Sequence, residues 1–200
     1  MSEWFQKRAK MSTLLKPIMV RKELLRLEIR TFQPAIFSKI FEVSPLSTKY
    51  FLERQTREGL FLRLKKGLYT LKTDLPSEEE IANALYKPSY LSFEYALAYH
   101  GLIPEMPYAI TSATTKPTRE FIVAQKSFLY LTIKNEAYTG YSLIKLENKS
   151  FLIADPEKAV ADYLYFESLG KKTHNDRLNL DSVNKDQLNR YMNLYNRNLS

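Results

Sequence analysis

The apolar period of this chain changes at Gly59, and that change constrains the fold more than any other feature. Up to Gly59 the apolar residues recur at helical spacings. Beyond it, "LFLRLKKGLYTL" holds two short strand-like runs joined by Lys65, Lys66 and Gly67. Runs this close in sequence predict a tight antiparallel hairpin with two adjacent positive charges at its tip.

Three helices are expected ahead of the hairpin. From Pro17, a residue suited to a first helical position, Val20, Leu24 and Leu27 recur at spacings of four and three. Arg21, Lys22, Arg26 and Arg30 fall on the other faces. Thr31 and Phe32 suffice for a short extended piece, and "PAIFSKIF" restarts helix with Ile36, Phe37, Ile40 and Phe41 as its apolar stripe. "STKYFLERQTREG" predicts the third helix, with Ser47 as N-cap and Gly59 as its stop. Phe51, Leu52 and either Gln55 or Thr56 take its inward positions, leaving Lys49, Tyr50, Glu53, Arg54 and Arg57 outside. The first dozen residues show no periodicity.

Helix, short strand, helix, tight turn, helix and hairpin is the order of a winged helix-turn-helix, in which the third helix enters the major groove and the wing lies along the backbone. The candidate DNA-binding residues follow from that placement. Ser47, Thr48, Lys49 and Tyr50 open the third helix with hydroxyls, an ammonium and backbone N–H groups that suit phosphates or base edges. Arg54 and Arg57 continue its basic outer face, and Lys65 and Lys66 put two point charges where a wing meets phosphates. The charge distribution agrees. Residues 1–72 hold 16 Lys and Arg against 6 Asp and Glu, a net of +10, whereas residues 73–200 hold 14 against 16, a net of −2. One module is built to meet a polyanion and the other is not.

"KTDLPSEEE" reads as a linker, so the expected domains are residues 1–72 and 73–200. In the second, Ser77 and Glu80 form a capping box ahead of the stripe Ile81, Ala84 and Leu85. "SYLSFEYALAYHGL" predicts a helix capped by Ser92 and stopped at Gly101. "YAITSAT", "SFLYLTI" and "YSLIKLENKSFLIA" are strand-like, the last a hairpin turning at Glu147–Lys149. Asp155 and Pro156 open a helix with Val160, Tyr163, Leu164 and Glu167 on one side, and Leu188, Tyr191, Met192 and Tyr195 mark a final amphipathic helix. The expected fold class is α+β, a winged helix-turn-helix followed by a mixed α+β domain.

The second domain offers little chemistry. The chain has no cysteine, which excludes disulfides, thiolate nucleophiles and Cys-based zinc sites. Its two histidines, His100 and His174, lack a second ligand at metal spacing, and His100 reads as a capping or packing residue. Asp162 and Glu167 read as helix-surface acids. No phosphate loop, nucleophile elbow or paired-carboxylate motif is present, so neither a cofactor nor an enzymatic activity is expected. The start lacks the apolar core of a signal peptide and nowhere do 18 apolar residues run together, which predicts a soluble, cytoplasmic protein with no membrane partner.

Taken in order, "REGLFLRLKKGLYTL", "YLSFEYALAYHGLI", "YAITSAT" and "IADPEKAVADYLY" resemble the AbiEi family of antitoxins and related transcriptional regulators. The resemblance spans about residues 20–170. It implies an amino-terminal winged helix that represses its own operon by binding inverted repeats, with a homodimer on the DNA as one arrangement. It also implies a carboxy-terminal domain carrying antitoxin activity and a neighbouring gene for a nucleotidyltransferase-like toxin. A second reading stays open on the residues alone: the winged helix docks a protein, and the second domain neutralises a toxin by direct binding. Salt separates the two, because contacts to phosphates weaken steeply with ionic strength and an apolar docking surface does not.

Overall fold

The computed structural model describes residues 15–147 and 149–196; the aperiodic first dozen residues lie outside them. The chain forms an α+β protein whose described residues comprise seven α-helices and two sheets. It divides into two compact units, residues 1–76 and 77–200. That division falls after the linker rather than before it, because Arg21 Nε donates to Thr73 Oγ1 at 3.1 Å and Arg30 lies 3.8 Å from Asp74. Both contacts tie residues 73 and 74 to the first unit.

The first unit runs α1 (Pro17–Arg26), β1 (Thr31–Phe32), α2 (Pro34–Phe41), α3 (Pro45–Arg57), β2 (Phe61–Lys65) and β3 (Leu68–Leu71). Each helix starts with proline, whose fixed φ suits the first turn and whose missing N–H costs nothing there. The strands form an antiparallel sheet ordered β1–β3–β2, with Thr31 opposite Thr70 and Phe61 opposite Leu71. Val20, Leu24, Phe32, Phe37, Leu52, Phe61, Tyr69 and Leu71 make the core. Its centre is aromatic: Phe61 meets Phe32 and Phe37 edge-on, at 5.4 and 6.3 Å between centroids. Of the stripe expected on α2, Phe37 is buried and Phe41 packs against the core, while Ile36 is exposed. The register of β2 shifts between Arg63 and Lys65, which turns Leu64 inward together with Phe61.

The second unit contains α4 (Glu78–Leu85), β4 (Ser89–Leu91), α5 (Phe93–Tyr99), β5 (Ile110–Thr114), β6 (Arg119–Val123), β7 (Lys126–Thr132), a 3₁₀ turn (Asn135–Ala137), β8 (Tyr141–Leu146), β9 (Lys149–Ala154), α6 (Pro156–Ser168) and α7 (Lys185–Asn196). Its mixed sheet is ordered β6–β7–β5–β4–β9–β8. Ser77 and Glu80 form the full capping box on α4. The buried side of that helix is Glu79, Ile81, Ala82 and Leu85, so Ala82 takes the place expected for Ala84. The helix expected behind a Ser92 cap starts at Phe93 with Ser92 as its N-cap, and the "SYL" ahead of it is a strand. Pairing of Leu146 with Lys149 leaves Glu147 and Asn148 between β8 and β9; Asn148 is outside the described residues.

Strand β4 is too short to pair with the whole of β9, and Leu91 opposite Ile153 is their registered pair. Side chains of α4 serve the rest of that edge. Asn83 Oδ1 accepts from Leu152 N at 2.5 Å, Asn83 Nδ2 lies 3.4 Å from Leu152 O, and Glu80 Oε1 accepts from Ser150 N at 3.3 Å. Backbone groups left open where a neighbouring strand ends take such partners in place of water.

Candidate nucleic-acid interface

Helix α3 opens at Ser44, not at Ser47 as expected. Ser44 has extended backbone angles, Pro45 follows at the first helical position, and Ser44 Oγ accepts from Ser47 N at 3.1 Å. Ser47 therefore lies within the first turn, exposed, with its hydroxyl 2.9 Å from that of Ser44. Leu52 and Gln55 are buried as expected, Phe51 packs against the core, and the stripe extends one turn back to Thr48. Thr48 is 0 % exposed, which removes it from any surface a ligand can touch, and its hydroxyl has no hydrogen-bond partner among the described residues.

Lys49, Tyr50, Arg54 and Arg57 are exposed on the outer face of α3, Tyr50 by 62 %. Lys49, Glu53 and Arg57 form one row four residues apart, and Tyr50, Arg54 and Glu58 the next. Arg54 Nε donates to Glu58 Oε1 at 2.7 Å, and Gln55 Nε2 donates to the other oxygen at 2.5 Å. These hydrogen bonds, Arg54 first, hold the Glu58 carboxyl below its usual range. An exposed pair of this kind contributes little to stability, so the guanidinium is free to exchange Glu58 for a phosphate. Lys49 makes no ion pair with a described carboxylate.

Gly59, with φ +85°, ends α3 and turns the chain directly into the hairpin, where Leu60 N donates back to Gln55 O at 2.9 Å. The hairpin turns at Lys66 and Gly67, with Gly67 at φ +78°. Lys66 is exposed at the tip, while Lys65 closes β2 opposite Leu68 and is half-buried. Arg63, exposed on β2 with Nε 3.4 Å from Lys65 O, adds a third cation that sequence reasoning passed over. Its signal was present in "LFLRL", where an arginine sits within an apolar run two residues before the tip. Residues 1–76 together carry net +9.

The second unit conceals what sequence reasoning placed on its surface. Asp162 was expected to be a surface acid and is 0 % exposed. Its Oδ2 accepts from Ser92 Oγ at 2.6 Å and Tyr90 Oη at 3.2 Å, and its Oδ1 accepts from Lys158 and Tyr195. Lys158, also fully buried, donates to Tyr195 Oη at 3.1 Å and lies 4.8 Å from the centroid of that ring. Burial pushes the Lys158 amine below the ordinary lysine value, while Asp162 acts to restore its charge. Burial first, then Asp162, pushes the hydroxyls of Tyr90 and Tyr195 well up. The network is satisfied and sealed, so it fastens α5, β4, α6 and α7 together rather than meeting a ligand. Ser92 and Asp155 keep their N-cap positions but spend their side chains elsewhere, Ser92 on Asp162 and Asp155 on Ser142 Oγ at 2.7 Å. His100 Nε2 lies 2.8 Å from Ala154 O, a packing contact at the end of α5. Glu167 is largely covered and lies 2.5 Å from His174 Nδ1.

Among the described residues there is no group of three potential metal ligands and no helix long and apolar enough to cross a membrane. Neither the models of known protein families nor the curated proteins contain a match to this sequence.

Proposed function

We propose that the chain is a DNA-binding transcriptional regulator that represses its own operon as the antitoxin of a toxin–antitoxin pair. The first unit acts as a winged helix-turn-helix, with α3 in the major groove and the β2–β3 hairpin as the wing along the phosphates. One observation carries this reading. A single small unit of net +9 aligns Ser47, Lys49, Tyr50, Arg54 and Arg57 on the outer face of one helix and runs straight into a hairpin with Arg63, Lys65 and Lys66 around its tip. Helix dipoles and hydroxyls at such a helix start position a protein on phosphates, and the side chains further along read bases. The antitoxin role rests on the sequence resemblance and belongs to the second unit, with a nucleotidyltransferase-like toxin as functional partner.

The test is the affinity for duplex DNA from upstream of its own operon, measured by fluorescence anisotropy across a salt series. Replacing both Lys65 and Lys66 by Ala weakens binding to all sequences by a similar factor and shallows the salt slope by about two contacts. An affinity for DNA that ignores salt overturns the reading and favours protein docking. Co-expression with the neighbouring toxin gene tests the antitoxin role separately: growth is rescued by the full chain.

A further inference from the structure

Among the described residues no further strand pairs with either edge of the second unit's six-stranded sheet, and the two edges are built differently. A free edge shows a row of unpaired N–H and C=O groups, which proteins usually blunt with charges, proline or a bulge. Edge strand β6 is blunted: Pro117 precedes it, and Arg119 and Glu120 are two of its five residues. Edge strand β8 is blunted less. Its six residues pair with β9 in unbroken register, Lys145 is its one charge, and Leu143 and Leu146 are 51 % and 52 % exposed.

We propose that β8 pairs antiparallel with β8 of a second copy of this chain, across a two-fold axis through Leu143. Side chains alternate along a strand, so Tyr141, Leu143 and Lys145 share one face and Ser142, Ile144 and Leu146 the other. An axis perpendicular to the sheet at Leu143 places the two Leu143 side chains opposite one another. It also places each Tyr141 opposite Lys145 of the second copy. Tyr141 is half-buried and held in place by Tyr90, at 4.5 Å and 15°, and by Tyr138 at 5.3 Å. Lys145 is exposed and makes no ion pair with a described carboxylate, so the exposed part of the ring is matched with the ammonium for a cation–π contact. An axis at Ile144 sets Leu143 against Lys145, and one at Ser142 leaves Lys145 beyond the paired segment. Self-complementarity therefore selects both the occupant and the register. The pair of short strands is small beside the roughly 1,200–2,000 Å² of a stable interface, so this dimer dissociates on dilution. It stands independently of any DNA contact.

The absence of cysteine from the whole sequence makes the register directly testable. Opposed Cβ atoms at the axis lie about 4.5–5.5 Å apart, close to what a disulfide needs. In the full chain at about 100 μM, mild oxidation cross-links the Leu143→Cys variant several-fold faster than Leu146→Cys or Met106→Cys, the last an exposed position away from β8. Sedimentation at the same concentration finds wild type self-associated. Leu143→Asp, which sets like charges face to face at an exposed position, is monomeric with an unchanged circular dichroism spectrum. A monomeric wild type, or cross-linking at Leu143 no faster than at the other two positions, overturns the proposal.

Discussion

Removing the charge of Asp162 should cost more than removing the charge of its partner Lys158, although the two form one ion pair. Breaking a buried pair from one side costs about 3–5 kcal/mol, because the charge left behind is stranded. What is stranded differs here. In Asp162→Asn the Lys158 ammonium loses its counter-charge and keeps neutral partners. These are the amide oxygen of residue 162, the Tyr195 hydroxyl and the tyrosine ring faces, with centroids at 4.8 Å for Tyr195 and 6.0 Å for Tyr191. In Lys158→Met the Asp162 carboxylate keeps three hydroxyl donors, from Tyr195, Ser92 and Tyr90. The aspartate variant therefore takes the full penalty of about 3–5 kcal/mol, and the lysine variant about 1.5–3 kcal/mol, the worth of one charge-assisted hydrogen bond. The deficit of Asp162→Asn also depends on pH. Burial already holds the Lys158 amine below its ordinary 10.5, and losing Asp162 lowers it further. Between the folded value and 10.5 the unfolded chain binds more protons, so stability rises with pH and the deficit shrinks as the amine goes neutral. Urea unfolding followed by near-ultraviolet circular dichroism of the tyrosines, at pH 7 and at pH 9.5, reads both effects. A Lys158→Met variant at least as destabilised as Asp162→Asn, or a deficit that does not change with pH, refutes the reasoning.

Three further outcomes are expected. Ser44→Ala destabilises the first unit by about 0.5–2 kcal/mol as a lost N-cap, and Ser47→Ala by less, which thermal melts of the two variants compare. Among Ala variants of Lys49, Tyr50, Arg54 and Arg57, those that read bases relax preference at one operator position by about 1–3 kcal/mol, and those on phosphates weaken all sequences alike; binding-site selection on each variant separates them. A fragment ending at Pro76, net +9, keeps salt-sensitive DNA binding while residues 77–200, net −1, keep the antitoxin activity, and growth assays with the toxin score each fragment.

What could be read in the sequence was whatever is local. The helices of the first unit were legible from prolines at first positions and from apolar spacing, and the hairpin from the change of period at Gly59. The start of α3 was misplaced because two serines compete for it. Ser44 wins through Pro45, which cannot lie deeper in a helix than its first turn. The burial of Thr48 follows from the spacing, since Thr48, Leu52 and Gln55 are four and three apart on one face. Strands β4 and β6 were missed because three residues before a helix and five after a proline carry too few alternations to show a period. Asp162 was misread for a deeper reason. Lys158 and Asp162, four apart on one helix, look like a solvent-exposed pair, and their burial is imposed by Tyr195, Ser92 and Tyr90, which lie 33 to 72 residues away.

The amide group of Asn83 stands where a peptide bond of the sheet would otherwise stand, and this has a consequence for how the β8–β9 hairpin can be lost or exchanged. A backbone neighbour is common to every sequence, whereas this one exists only while residue 83 is an amide of the right length. Part of the hairpin's attachment is thus written in one side chain, beside Glu80 on Ser150 and Leu91 opposite Ile153, and amide exchange at Leu152 reports on a helix outside the sheet. Asn83→Leu, close in size, would free that amide and speed its exchange while Leu91 stays paired with Ile153.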